Sequence, residues 1–117
     1  MVSIYAPCSN HRADQLRFLN YLIEKLENID LPLLIGGDAN VYFSDLDYKG
    51  KSLTKHNIYR NKWLEFLNFR GLCDIWRALN IDKIDFTWRD NTKSGLVQER
   101  IDFIFCSESI FHLFKTL

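Results

Sequence analysis

Apolar and polar positions along this chain form blocks that predict alternating strands and helices. Residues 2–6 alternate and carry two β-branched side chains, which is typical of a strand, and Pro7 ends it because proline cannot donate to a central ladder. In residues 14–28 apolar side chains recur at spacings of three and four, which predicts an amphipathic helix. The short apolar run 33–35 predicts a buried strand. This order indicates an α/β (α+β) class with a parallel strand pair.

The second half of the chain has shorter and less regular patterns. Residues 41–59 are polar and predict a long surface loop, which in a compact domain is often functional. Residues 61–69 predict a second amphipathic helix that Gly71 ends. Residues 72–79 predict a helical or irregular turn. Strands are predicted over 85–89 and 97–106, and they form a hairpin around a turn over 90–95. A last helix is predicted from residue 110.

Composition excludes several classes of protein. Apolar residues make up 47% of the 117 residues, which predicts one packed domain or part of a larger one and argues against disorder. The formal net charge is +0, so the strongly basic composition of many nucleic-acid binders is absent. A local basic face remains compatible with a net charge of zero. The three cysteines lack zinc-site spacing and indicate thiols in a reducing compartment. With no membrane-spanning run and no signal-peptide layout, the sequence predicts an intracellular protein without a membrane partner, for which the nucleus is one compatible compartment.

Two polar side chains just past the run 33–35 are the first candidates for chemistry. Gly36 and Gly37 end the run, and Asp38 and Asn40 follow where functional groups of open α/β sheets collect. An anionic acceptor and an amide two residues apart suit a metal ion or an ordered water. The competing interpretation is an Asx turn, in which such side chains bond to local backbone. The sequence leaves both interpretations open.

Asp102 is the second candidate, because it is a carboxylate within a strongly apolar strand and needs a partner there. The pattern alone favours a structural ion pair with Arg100 or Arg77. The functional interpretation is a carboxylate that orients a histidine or a metal-bound water. Tyr5 and Trp88, on pattern alone, are ordinary packing aromatics.

Four segments in order resemble the C-terminal half of the endonuclease/exonuclease/phosphatase domain, and most closely the endonuclease of LINE-type (non-LTR) retrotransposons. The matching segments are VSIYAP at 2–7, IGGDAN at 35–40, LCDIWR at 72–77 followed by FTW at 86–88, and RIDFI at 100–104. The similarity covers nearly the whole chain.

The resemblance implies a four-layer α/β sandwich with two β-sheets packed face to face, of which residues 1–117 form one partial domain truncated at both ends. It implies Mg²⁺- or Mn²⁺-dependent hydrolysis of phosphodiester bonds in DNA. Asp38 then positions or deprotonates the attacking water, Asn40 holds the phosphate or that water, and both are metal ligands at a secondary site. Tyr5 hydrogen-bonds near the scissile phosphate, and Asp102 orients a histidine. The implied substrate-binding residues are Asn10, Thr87 and Trp88.

The departures from the family pattern limit what this chain does alone. The family's metal-binding glutamate motif and its terminal SDH motif are not present, and Cys8 stands where the family has asparagine. We therefore expect the isolated chain to be inactive or nearly so, and we expect its partners to include the missing half-domain or a reverse transcriptase region of a parent polyprotein. Two alternatives stay open: a family member that acts on another phosphoester, and a non-catalytic remnant that binds nucleic acid or a protein.

Overall fold

The structure, a computed structural model, describes residues 1–50 and 57–115. The strands are Val2–Tyr5 (β1), Leu34–Asp38 (β2), Tyr48–Lys49 (β3), Leu72–Asp74 (β4), Trp88–Thr92 (β5), Gly95–Glu99 (β6) and Asp102–Ser107 (β7). The α-helices are Arg12–Leu26 (α1), Ile58–Phe69 (α2) and Ile75–Leu79 (α3), and two 3-10 helices span Asp45–Asp47 and Glu108–Phe114. Within these ranges, no helix is both long enough and apolar enough to cross a membrane.

The strands form two sheets, and the α/β class predicted from the sequence is confirmed. One sheet has the order β1-β2-β7-β4, and the other has the order β3-β6-β5. Strands β1 and β2 are parallel because α1 carries the chain back between them, whereas β7 runs antiparallel to both of its neighbours. The carboxyl ends of β1 and β2 therefore meet the start of β7 at one edge of the sheet.

The core lies on one face of the four-stranded sheet, beneath α1 and α2. Trp63 of α2 is fully buried, and its ring centroid lies 5.7 Å from that of Phe105 on β7. Leu19 of α1 and Ile35 of β2 join the same buried cluster. Alternation along β7 sends the neighbouring side chains to the opposite face, where Ile104 is 51% exposed.

The predicted strand over 97–106 is wrong, because the chain changes sheets within it. Strand β6 ends at Glu99 and β7 begins at Asp102, and the two strands pair in different sheets. Polar and apolar residues are mixed on both sides of the break, so the pattern carries no sign of the switch. The hairpin is confirmed with different bounds. Strand β5 starts at Trp88 rather than at residue 85, and the turn is limited to residues 93–94.

Two further segments are more ordered than their patterns indicate. Residues 72–79 form strand β4, which pairs with β7, and then helix α3. The predicted loop over 41–59 contains a 3-10 helix, strand β3 and the start of α2, while its residues 51–56 lie outside the described residues. The helix expected from residue 110 is instead the 3-10 helix Glu108–Phe114.

Candidate active-site edge

Three of the candidate residues lie side by side on three adjacent strands. Tyr5 of β1 is the register partner of Asp38 of β2, and Asp38 is the partner of Asp102 of β7. Side chains at paired positions share one face of a sheet. Here that face is the one opposite the core, since Tyr5 is 82% exposed and Asp102 is also exposed. A phenol and two carboxylates thus form one continuous row, which we call the active-site edge together with Asn40.

Asp38 is the half-buried member of this row. Its Oδ1 accepts a hydrogen bond of 2.8 Å from the backbone N–H of Asn40, which is the Asx turn that the sequence left open. Burial raises the pKa of the Asp38 carboxyl, the Asn40 hydrogen bond lowers this pKa, and the charge on Asp102 raises it. The turn is compatible with the functional interpretation, because it occupies only one carboxylate oxygen.

Asn40 adopts a left-handed backbone conformation, with φ of 53°. Asparagine tolerates this region better than most residues. Its Nδ2 donates a 2.5 Å hydrogen bond to the carbonyl of Ala6, at the end of β1. A side-chain amide has two N–H donors and one carbonyl acceptor, and residues 1–50 and 57–115 engage only one of these N–H groups, so the other N–H and Oδ1 suit a water, a phosphate or a cation.

Gly37 is the glycine that the edge requires. Its φ is 137°, and a Cβ atom placed there would lie 2.0 Å from the carbonyl oxygen of Ile4. Strands β1 and β2 approach this closely only because residue 37 has no side chain. Gly36 is different, since a Cβ there meets Met1 Cε at an ordinary 3.4 Å.

Two buried side chains hold the backbone of the edge from the core side. The hydroxyl of Tyr59 donates a 2.7 Å hydrogen bond to the carbonyl of Ala39, between Asp38 and Asn40. Nε2 of Gln15 donates to the carbonyl of Pro7 at 3.0 Å. Burial raises the pKa of Tyr59 to about 12, so its hydroxyl remains a donor at neutral pH. Neither residue has a sequence motif, because the significance of each lies in a contact with a distant segment.

Thr87 is one of the three predicted substrate-binding residues, and it contacts this edge directly. Its Oγ1 accepts hydrogen bonds from the backbone N–H of Ile101 at 3.1 Å and from that of Asp102 at 3.3 Å. Trp88 opens β5 and is 40% exposed. Asn10 is exposed in the turn that follows β1.

A cleft of about 480 Å³ opens beside Asp102. Thr87 and Gly37 contribute to its wall, and the rest of the lining is largely apolar, with Trp76, Leu79, Phe86 and Ile104 among it. Asp85 and Asp102 are the two carboxylates of its lining, and such a pocket suits a flat or apolar ligand group whose polar end faces the edge.

The expected ion pair of Asp102 with Arg100 or Arg77 is wrong. Arg100 is buried and instead binds Asp47 through Nε and Nη2, at 2.8 and 3.0 Å, and Asp74 through Nη2 at 2.5 Å. Arg77 also binds Asp47, at 2.5 Å. No ion pair involves Asp102 within residues 1–50 and 57–115. Asp102, to which the pattern assigned a structural ion pair, is therefore exposed. The buried ion pairs are formed by Asp47 and Asp74 instead.

Asp47 is the structural residue that sequence reasoning missed. It is 1% exposed, although it lies in a polar stretch that predicts a surface loop. Its burial follows from the two arginines that converge on it. They are 30 and 53 residues away along the chain, so no local signal marks the site.

A metal ion would find part of a site at the edge. Asp38 and Asp102 together offer two neighbouring carboxylates. Mg²⁺ is usually held by one or two carboxylates together with waters and substrate phosphate. The described part of the chain contains no group of three His, Cys, Asp or Glu side chains that could hold a metal. Within the described residues, the edge therefore offers two carboxylates toward a metal site and no third ligand of this kind.

The chain is similar to a known protein family, to a transposon protein and to a solved nuclease structure. Residues 2–115 match the family model described as the Endonuclease/Exonuclease/phosphatase family. The chain is 29% identical over 113 residues to the "Transposon TX1 uncharacterized 149 kDa protein" of Xenopus laevis, a match that covers 94% of this chain and 8% of that protein. It also superposes on an AP endonuclease from Archaeoglobus fulgidus with a TM-score of 0.73 and 20% identity, covering 94% of this chain and 49% of the other. The chain therefore spans only part of each of these two proteins.

Proposed function

Because this chain belongs to the endonuclease/exonuclease/phosphatase family, we propose that it supplies one edge of the active site of a metal-dependent DNA endonuclease of retroelement type. The observation that carries the proposal is the row of Tyr5, Asp38 and Asp102 on three adjacent strands. The similarity to a transposon protein supports the retroelement assignment. As a partial domain, the chain would act together with the rest of such an enzyme.

Hydrolysis of a phosphodiester needs a water held in line with the leaving oxygen and groups that stabilise the developing charge. In the proposed mechanism the free oxygen of Asp38 accepts the proton of the attacking water, and the Asx turn fixes the direction of that oxygen. The free N–H of Asn40 donates to a phosphate oxygen. The exposed hydroxyl of Tyr5 donates to another. Asp102 would orient a catalytic histidine supplied by the rest of such an enzyme.

Asp38 and Asn40 would hold the divalent cation, Mg²⁺ or Mn²⁺, at a secondary position. When bound, the cation neutralises phosphate charge and lowers the pKa of a bound water. The principal glutamate ligand of the family is absent from this sequence. The removal of one member of a catalytic constellation can abolish nearly all of its rate. We therefore expect the purified chain to nick supercoiled DNA in Mg²⁺ at a negligible rate, and robust turnover would overturn that expectation.

A binding experiment tests the proposed function without relying on turnover. In ¹H–¹⁵N NMR spectra, substoichiometric Mn²⁺ is expected to broaden the amide signals of Tyr5, Asp38, Asn40 and Asp102 before all others. The variant Asp38→Asn should lose this selective broadening. The matched variant Asp14→Asn, on the exposed surface of α1, should keep it. Broadening spread evenly over surface carboxylates would refute the proposed cation site.

The non-catalytic alternative has a specific observation in its favour, namely the lack of a three-ligand metal cluster among the described residues. Under this alternative the chain binds nucleic acid through the surface around Thr87 and Trp88 without holding a cation. A short DNA duplex would then shift the signals of these two residues in the same spectra while Mn²⁺ produced no selective broadening. Both effects together favour the nuclease edge.

A further inference from the structure

Cys73 and Cys106 form a close thiol pair at the other side of the four-stranded sheet. They are register partners on the antiparallel strands β4 and β7, and their Sγ atoms lie 3.7 Å apart. Both thiols are free, as is the exposed Cys8. The proposed nuclease mechanism uses none of them, so this pair is independent of the active-site edge.

Backbone geometry at this position suits a covalent bridge. Directly opposed residues of antiparallel strands have Cα atoms about 4.5 to 5.5 Å apart, and disulfides form across Cα distances of about 4.4 to 6.8 Å. Paired positions also direct both side chains to the same face of the sheet. Side-chain rotation is therefore sufficient to bring the two sulfur atoms into bonding distance.

We propose that Cys73 and Cys106 are a redox modification site, which two-electron oxidants of the peroxide class convert into an intramolecular disulfide. Cys73 reacts first, because it is partly exposed whereas Cys106 is fully buried. Its thiol attacks the peroxide O–O bond, which gives a sulfenic acid and one water when the oxidant is hydrogen peroxide. The thiol of Cys106 then attacks the sulfenic sulfur, so that an S–S bond forms and the hydroxyl leaves as a second water. Two thiols are oxidised, and one peroxide is reduced to two waters.

Burial explains why Cys73, rather than Cys106, reacts first with the oxidant. It raises the pKa of Cys106 to about 12, so this thiol carries little thiolate with which to attack an external oxidant. Its reaction with Cys73 is helped by the 3.7 Å separation, since a positioned nucleophile reacts at a high effective concentration.

The bridge would fix the short edge strand β4 to β7. Asp74, the residue after Cys73, binds Arg100 and caps α3 through the backbone N–H of Arg77. The two cysteines are 33 residues apart, so the bridge also closes a loop that contains α3 and the β5–β6 hairpin. Closing such a loop restricts the unfolded chain, and the oxidised protein should therefore melt at a higher temperature.

The test uses the purified chain with the substitution Cys8→Ser, which removes the exposed thiol. After treatment with hydrogen peroxide, intact-mass measurement should show a loss of 2 Da, by the mass of two hydrogens. Peptide mapping should find the fragments of Cys73 and Cys106 linked, dithiothreitol should restore both thiols, and the oxidised form should have a higher Tm than the reduced form. Mapping of the unsubstituted chain gives the same evidence if Cys8→Ser does not fold.

Matched controls separate the bridge from other oxidations. Adding Cys73→Ser should leave the buried Cys106 as a free thiol under the same treatment, whereas adding Cys106→Ser should leave Cys73 as a sulfenic acid that dimedone labels. Three outcomes would overturn the proposal: persistence of both thiols, a gain of 32 Da at Cys73 with Cys106 still free, or links formed only between chains. A Tm that does not rise on oxidation would overturn the inference that the bridge fixes β4.

Discussion

Asp38 and Asp102 are directly opposed across the β2–β7 strand pair, which places two carboxylates next to each other on the exposed face of the sheet. The pKa of Asp38 is raised by burial, lowered by the hydrogen bond from Asn40 and raised again by the charge on Asp102. Two adjacent like charges favour binding a cation or a proton between them.

Replacing Asp102 by asparagine should lower the pKa of Asp38. The substitution removes one of the two effects that raise this pKa, while burial and the Asn40 hydrogen bond remain. The measurement is a pH titration of the Asp38 carboxyl carbon by ¹³C NMR. Asp14→Asn is the control and should leave the titration unchanged. An Asp38 pKa that stays the same or rises in Asp102→Asn would show that the two carboxylates do not interact.

Replacing Asp38 by asparagine should stabilise the fold at neutral pH. A pKa raised above the ordinary 3.8 means that the folded chain binds this proton more tightly than the unfolded chain does. The stability linked to Asp38 is therefore complete below the unfolded pKa and is lost as pH rises through the folded pKa. The asparagine stays neutral, and its amide oxygen still accepts from Asn40. Calorimetry should show a Tm a few degrees above that of the parent at pH 7 and nearly equal at pH 3, whereas equal losses at both pH values would contradict the prediction.

Gly37→Ala should destabilise the protein by more than about 3 kcal/mol. The added Cβ would meet the Ile4 carbonyl oxygen at 2.0 Å, and alanine rarely adopts a φ of 137°. The neighbouring Gly36→Ala is the matched control, and we expect it to change stability by less than about 1 kcal/mol. Urea denaturation followed by circular dichroism compares the two. Similar midpoints for both variants would mean that β1 and β2 separate without difficulty.

Asp47→Asn should be among the most destabilising single changes, at about 3 to 5 kcal/mol, because it leaves the buried Arg100 with only part of its compensating charge. The exposed pair of Asp14 with Arg17 provides the comparison. Breaking that pair with Asp14→Asn should cost less than about 1 kcal/mol. Chemical denaturation measures both, and a small effect of Asp47→Asn would show that Asp74 alone compensates Arg100.

Local patterns were sufficient for the elements that carry a regular apolar face. The β1, α1, β2 and α2 segments were predicted to within a few residues, because each buries one side against the same core. The pattern also placed Asp38 and Asn40 at a strand end. It failed at β4, which has only three residues, and at the break after Glu99, where mixed polar and apolar residues run from one strand into the next.

The remaining features depend on contacts between distant segments. Neither the burial of Asp47 nor the support of Ala39 by Tyr59 has a local signal, since each depends on a partner at least 20 residues away. The opposition of Asp38 and Asp102 depends on the order of strands in the sheet. The resemblance to a nuclease family indicated the residues of the edge, but only the strand register shows that they are neighbours.

The cluster of Arg100 with Asp47 and Asp74 has a consequence for the order of folding events. Arg100 lies between β6 and β7, so its contacts join the two sheets, and they close chain segments of 53 and 26 residues. The β5–β6 hairpin closes through only a two-residue turn. Because long closures are entropically unfavourable until many other contacts exist, we expect the hairpin to form before it is anchored to the sheet. Stopped-flow measurements on Asp47→Asn should then show faster unfolding and a nearly unchanged folding rate.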